Sequence, residues 1–269
     1  MNICFIGGGN MATALIGGLL KRDFNAAQLR VVEISADNRT KLQNEFGVQA
    51  TADLPVGVVG SDVILLAVKP QQLREAAMQL VPLLSGQLLI SIAAGIRAAD
   101  IARWAGSQNV VRAMPNTPAL IQSGMTGLYA LPAVNKAQCG VAQTILAAVG
   151  STLWLEEEAM MDAVTAVSGS GPAYVFYFIE AMQQAARDLG FSDDDARRLV
   201  LDTFLGASKL VDASKDDVSL LRARVTSKNG TTERALLSME ANNVKQHIIT
   251  AAKAAAARAK EMGDELGRD

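Results

Sequence analysis

Aromatic residues make up only 4% of this 269-residue chain, although half of its residues are hydrophobic. The apolar material is therefore aliphatic side chains and Ala, which suit helices and buried parallel strands. There is no excess of either charge: 25 Lys and Arg stand against 27 Asp and Glu. Without a basic excess to meet phosphates, no nucleic-acid partner is expected, a local basic patch being the weak alternative. The short clusters Arg197–Arg198 and Arg222–Arg224 read as solvated helix faces. Only two cysteines are present. Cys4 sits in the apolar run Ile3-Cys4-Phe5-Ile6 and reads as a small buried hydrophobe, and no C-x-x-C spacing offers a metal or redox site. The sole histidine, His247, falls in the last helical pattern, so no Ser/His/Asp or Cys/His set and no metal cluster is expected. No apolar stretch is long enough to span a bilayer. The sequence also enters a strand directly after Met1-Asn2, with no basic leader. The expectation is a cytoplasmic protein without a membrane partner. Its chemistry needs little acid–base help from side chains, and hydride transfer from a cofactor to an electrophilic carbon fits that description.

What is there is an alternation. Asn2–Ile6, Leu29–Ile34, Val63–Val68, Gln87–Ile92 and Val110–Ala113 read as strands, and Met11–Leu20 and Asn38–Phe46 carry helical periods between them. Gly127–Ala130 and Ser151–Leu155 read as later strands flanking a helix over Asn135–Val149. Strand–helix alternation argues for a parallel sheet with helices on both faces. Strand signals stop after about Glu158. Ser170-Gly171-Pro172 opens a long helix that Gly190 ends, and Ser192 caps the next, whose first turn holds Asp193, Asp194 and Asp195. A polar loop at Thr226–Thr231 precedes two more helices, the last around Asn243–Met262. The sequence thus predicts an α/β chain. A Rossmann-type parallel-sheet domain over residues 1–158 is followed by an all-α domain over 159–269.

The strongest local signal is Ile6-Gly7-Gly8-Gly9-Asn10-Met11-Ala12, a G-x-G-x-x-A pattern between the first strand and first helix. Gly7 permits the tight turn, Gly9 lets backbone approach a pyrophosphate, and Ala12 allows close helix packing. The free N–H groups at the helix start meet the phosphate charge. The acidic residue expected about 20 positions on is Glu33. It either accepts hydrogen bonds from an adenosine ribose or is a solvent-facing strand-end residue, and Ser35, Asn38 and Arg39 beside it can instead serve a 2′-phosphate. Ala67-Val68-Lys69-Pro70 and Ala93-Ala94-Gly95 close further strands at their carboxyl ends, where open α/β sheets bind ligands. Met114-Pro115-Asn116-Thr117-Pro118 is a stiff loop able to hold an amide against nicotinamide, or else a rigid structural turn. Ser168–Pro172 and Thr226–Thr232 read as small-residue loops at helix starts. They are either anion sites or ordinary caps.

Taken together, residues 5–12, Ala67–Pro70, Met114–Pro118, Thr165–Tyr174 and Thr226–Thr232 resemble the pyrroline-5-carboxylate reductases, in order and over nearly the whole chain. The resemblance implies a helical dimerisation domain, with 1-pyrroline-5-carboxylate held between the domains and reduced to L-proline by NADPH or NADH. It implies coenzyme contacts at Ile6, Gly7, Gly9, Asn10, Met11, Glu33, Ser35, Ala67–Pro70, Ala93–Gly95, Asn116 and Thr117. Substrate contacts are implied at Ser170, Ser227, Gly230, Thr231 and Thr232, with Thr232 holding the ring nitrogen. The family commonly has Ser-Pro-Gly-Gly-Thr-Thr where this chain has Lys228 and Asn229 in place of Pro and the first Gly. Asn tolerates positive φ, so the loop shape is expected to survive. The wide apolar stripes after residue 158 predict a homodimer, with room for a higher assembly. Two rival readings are a β-hydroxyacid-type dehydrogenase, which would want a motif-borne lysine in the helical half, and a non-catalytic dinucleotide sensor.

Overall fold

The computed structural model describes residues 1–268. They divide into two compact units, one of residues 1–170 together with those from 254 onward, the other of residues 171–253.

The first unit is built on an eight-stranded sheet of order β3-β2-β1-β4-β5-β6-β7-β8. Its strands are β1 (Ile3–Ile6), β2 (Leu29–Val32), β3 (Gln49–Thr51), β4 (Val63–Leu66), β5 (Leu88–Ser91), β6 (Val110–Met114), β7 (Gly124–Ala130) and β8 (Gly150–Trp154). The first six run parallel; β7 pairs antiparallel with β6, and β8 parallel with β7. The helices between them are α1 (Asn10–Leu20), α2 (Ala36–Phe46), α3 (Leu54–Val58), α4 (Pro70–Leu80), α5 (Ala98–Ala105), α6 (Lys136–Leu146) and α7 (Met160–Val164). Alternate residues of β1 face opposite sides. Ile3 and Phe5 join Leu15, Ile16 and Leu19 of α1 and Ile145 of α6, while Cys4 and Ile6 join Leu73 and Leu80 of α4 and Ile101 of α5. Each such aliphatic side chain, fully withdrawn from water, contributes roughly 1.5–3 kcal/mol. This two-faced burial explains why the strands read as unbroken apolar runs.

Several features depart from the sequence reading, among them an earlier start of β7, at Gly124 and not Gly127. β3 has no apolar run, because Gln-Ala-Thr sits at the sheet edge with one strand neighbour. β2, β4 and β5 stop one or two residues earlier than expected, at Val32, Leu66 and Ser91, although the next residue of each still donates one backbone hydrogen bond to its neighbour, Glu33 to Thr51, Ala67 to Ile6 and Ile92 to Leu66. The segment before Gly171 is not an open helix start. α7 passes into a π-helical turn, Thr165–Gly169, and the Ser170 N–H donates to the Thr165 carbonyl at 2.8 Å. Gly169 lies against Met114, where a Cβ would collide with the methionine side chain.

The second unit holds α8 (Gly171–Asp188), α9 (Asp193–Ala213), α10 (Val218–Arg224) and α11 (Thr231–Ala241), and α12 (Val244–Leu266) begins in it and ends in the first unit. Gly190, at φ +100°, ends α8 as expected, and the Ser192 hydroxyl caps α9 by accepting the Asp195 N–H at 3.2 Å. α10 carries no expectation from sequence. Its cap, Asp217, accepts the Ser219 N–H and hydroxyl, which holds that carboxyl below its ordinary pKa. Phe176 and Tyr177 of α8, Leu205 and Leu210 of α9 and Leu237 of α11 stay exposed in the single chain.

Candidate active site

The glycine turn is shaped by what a side chain would strike. Gly7 has φ +99°, and a Cβ there would lie 2.7 Å from the Ala67 carbonyl oxygen, so only glycine lets β1 and β4 end this close together. Gly9, by contrast, faces open space and is the extended cap of α1, with no side chain bonded to the helix start. The first N–H groups of α1, from Asn10 and Met11 onward, therefore point outward beside an open backbone. That arrangement suits a pyrophosphate. Ala12 is buried against the sheet, as the third position of the pattern requires.

From this turn a cleft of about 480 Å³ runs along the carboxyl ends of β1, β2 and β4, lined by Gly7–Gly9, Glu33, Asn38, Ala67–Lys69 and Gln72 among others. Lys69 is exposed at its rim and caps α4, with Pro70 as the first helical residue. Glu33 is neither free for solvent nor idle. One carboxylate oxygen accepts the Gly8 N–H and the other accepts the Ser35 N–H, each at 2.8 Å. The carboxylate thus ties the glycine turn to the start of α2. Arg39 lies over the end of β2, donating to the carbonyls of Glu33 and Ile34 at 2.7 and 2.9 Å. Ser35 caps α2 by accepting the Asn38 N–H. The cleft therefore combines the Glu33 carboxylate at the end of β2, and that of Glu75 on α4, with a nearby guanidinium, hydroxyl and amide, and its chemistry suits either an adenosine ribose or its 2′-phosphate.

After β5, the neighbour of β4, Ala93 and Gly95 are buried and Gly95 takes φ +78°. The Asn116 carboxamide is already engaged: its oxygen accepts the Met125 N–H at 2.9 Å, and its nitrogen donates to the Ser168 carbonyl and hydroxyl at 3.2 Å. The side chain is a strut that locks the loop against the π-helical turn, which leaves Thr117 and the backbone as the part able to meet a ligand. Sequence reasoning missed a neighbouring buried cluster. Arg112 of β6 is 4% exposed and pairs with Glu158 at 3.1 Å and Asp162 at 3.9 Å, and the same Glu158 oxygen accepts the Ala98 N–H at the start of α5. A charged residue inside an otherwise apolar strand was its visible signal.

The 226–232 loop stands by itself in the second unit. Asn229 adopts φ +61°, so Asn occupies the left-handed position as anticipated. Its N–H donates to the Glu233 carboxylate at 2.7 Å, and the Gly230 N–H to the Ser227 carbonyl at 3.0 Å. Gly230 is the extended cap of α11, and a Cβ there would collide with the Ser227 hydroxyl. Thr231 and Thr232 form the first turn of α11, Thr231 exposed and Thr232 half-buried. The loop gathers a helix N-terminus and the hydroxyls of Ser227, Thr231 and Thr232, with that of Thr226 donating to the Arg222 carbonyl at 2.7 Å, a suitable cradle for a carboxylate. Ser170 belongs to the first unit, and His247 is an exposed residue of α12. No group of acidic, His and Cys side chains able to hold a metal occurs among the described residues. No helix among them is long and apolar enough to cross a membrane.

An open glycine turn at the crossover of a parallel sheet, with an acidic residue closing the second strand, defines a Rossmann-type nicotinamide-dinucleotide oxidoreductase module. Residues 2–95 match the family model described as NADP oxidoreductase, coenzyme F420-dependent, and residues 158–262 match that for pyrroline-5-carboxylate reductase dimerisation. The chain is 46% identical to the pyrroline-5-carboxylate reductase of Pseudomonas aeruginosa, over 99% of this chain and 98% of that one. It is 44% identical to that of Haemophilus influenzae, over 97% of each. Among solved structures it is similar to a pyrroline-5-carboxylate reductase from Coxiella burnetii, with a TM-score of 0.92, 39% identity and coverage of 97% and 98%. It is also similar to the Plasmodium falciparum enzyme with NADP bound, with a TM-score of 0.88, 31% identity and coverage of 98% of both chains. The chain belongs to the pyrroline-5-carboxylate reductase family, and its second half matches a dimerisation region.

Proposed function

We propose that this protein reduces 1-pyrroline-5-carboxylate to L-proline with NADPH or NADH, as the last step of proline synthesis. The observation that carries this reading is full-length similarity at 46% identity to a reductase of that name. The geometry agrees with it chemically. Gly7, Gly9 and the N–H groups of Asn10 and Met11 hold the pyrophosphate, and Glu33, Ser35 and Arg39 meet the adenosine end. Ala67–Pro70, Ala93–Gly95 and the backbone around Asn116 and Thr117 line the remainder. Bound there, the reduced nicotinamide supplies a hydride to C5 of the cyclic imine. The α11 amino end, with Ser227, Gly230 and Thr231, takes the substrate carboxylate. Thr232 holds the ring nitrogen, whose protonated form makes C5 electrophilic, and Ser170 is a further substrate contact. No side chain need transfer a proton from a strained position, so orientation supplies most of the acceleration, at best about 7–11 kcal/mol.

The functional division falls at residues 158–159, a proposal supported by the dimerisation model beginning at residue 158. The working form is a homodimer able to assemble further, located in the cytoplasm, with neither nucleic acid nor membrane as a partner. Mixing the purified protein with pyrroline-5-carboxylate and NADPH, then NADH, and following loss of reduced-nicotinamide absorbance tests the reading. Proline formation matching coenzyme oxidation is the expected result; coenzyme binding without turnover would replace the enzyme by a sensor.

A further inference from the structure

Residues far apart in sequence meet at the turn that follows β5. Gly95 and Gly263 face one another there. A Cβ on Gly263 would lie 3.0 Å from the Gly95 carbonyl oxygen, and a Cβ on Gly95 would lie 3.1 Å from the Cβ of Met262. The end of α12 therefore rests directly on the backbone of the turn. Three contacts surround this point. Arg97 donates to and pairs with Asp264, Arg103 donates to the Gly267 carbonyl at 2.8 Å, and Leu266 packs on the core cluster that contains Ala93 and Ile96. Gly267 repeats the close approach, since a Cβ there would collide with the Asp100 carboxylate. Gly263 in α12 and Gly267 just past its end thus both lie in close contact with the segment 95–100. Glycine is less favourable than Ala inside a helix. Nothing local to α12 calls for it; the approach to Gly95 does.

We infer that the carboxy-terminal end of α12, through Gly263 and Asp264, is a positioning element that sets the Ala93–Gly95 turn for the coenzyme. The inference rests on the reading of that turn as a coenzyme contact. Gly95 has left-handed φ and a peptide oxygen pressed against the helix, so a displacement of α12 moves the turn's carbonyl and N–H groups directly. The Arg97–Asp264 pair is about half exposed and adds direction more than strength. Residues 262–267 act on coenzyme binding only through the turn.

The test compares Gly263→Ala, Asp264→Ala and Asp264→Glu with the unaltered protein. NADPH binding is titrated by nicotinamide fluorescence, which needs no turnover, alongside steady-state rates. Gly263→Ala should weaken NADPH binding by about three- to tenfold, because the turn must give by a few tenths of an ångström. Its KM for pyrroline-5-carboxylate at saturating NADPH should stay unchanged. Asp264→Ala should weaken binding less, and Asp264→Glu should restore it. Asp264 lies on the surface, so Asp264→Ala still reports on the clamp if Gly263→Ala does not fold. Unchanged NADPH binding in Asp264→Ala and in folded Gly263→Ala would overturn the inference, as would losses of NADPH affinity and substrate KM in equal measure. If the unaltered protein binds no NADPH, the coenzyme reading itself fails, a result distinct from either.

Discussion

Replacing Glu33 by Gln keeps the side chain's size and removes its charge. In the native turn both carboxylate oxygens accept backbone N–H groups, from Gly8 and Ser35, at 2.8 Å. An amide has one oxygen, so one N–H must face an NH2 group that cannot accept from it. Gly8 is buried, so its N–H has no easy recourse to water. Losing one hydrogen bond to a charged acceptor is worth roughly 1.5–3 kcal/mol. At roughly 2–4 °C per kcal/mol for a chain of this size class, Tm should fall by about 3–12 °C. The glycine turn also loosens, so KM should rise for NADH and NADPH by a common factor. A second effect separates the coenzymes: the lost negative charge no longer opposes a 2′-phosphate, so the NADPH/NADH ratio of kcat/KM should increase. Thermal unfolding followed by circular dichroism, with steady-state rates for both coenzymes, measures all three quantities. A Tm within about 1 °C of the native value would refute the tie between Gly8 and Ser35. A lowered Tm with an unchanged ratio would leave Glu33 as a tie alone, not a reader of the adenosine end.

Thr232→Ala should lower kcat/KM for pyrroline-5-carboxylate about tenfold to a hundredfold, because a partly charge-assisted hydrogen bond is worth roughly 1.5–3 kcal/mol. Coenzyme affinity and dimer mass should hold, and full retained kcat/KM would reduce Thr232 to a helix-start residue. Arg112→Ala should destabilise by about 3–5 kcal/mol in denaturant titration, since it strands Glu158 and Asp162 beside an emptied buried position. Arg112→Met fills the space and removes both ion pairs while Glu158 keeps the Ala98 N–H, so a loss under about 1 kcal/mol there would show that the ion pairs contribute little. Burial pushes the Cys4 thiol up to about 12, against a smaller opposite pull from Arg30. Iodoacetamide at pH 8 should therefore label Cys139 and spare Cys4 in the folded protein, as read by peptide mass. Equal labelling of both would show that the β1 core opens readily.

Periodicity and turn chemistry carried the architecture, because they act over a few residues. Strands buried on both faces read as Val, Leu and Ile runs, and Gly7 announced itself because its backbone needs positive φ. The same holds for Gly190 behind α8, Ser192 before α9, and the left-handed Asn229 in the 226–232 loop. Edge strand β3 escaped notice because a strand with one neighbour needs no apolar run. The π-helical turn at Thr165–Gly169 escaped for a related reason: Ser-Gly-Ser-Gly looks like a loop until Met114 fills the space above Gly169. What each candidate side chain touches was decided only in three dimensions. Glu33 and Gly8 are 25 residues apart, Asn116 and Ser168 are 52 apart, and Arg97 and Asp264 are 167 apart. A residue type states which bonds a side chain can make. Only the packed chain determines which partner reaches it first, and so which groups remain free for a ligand.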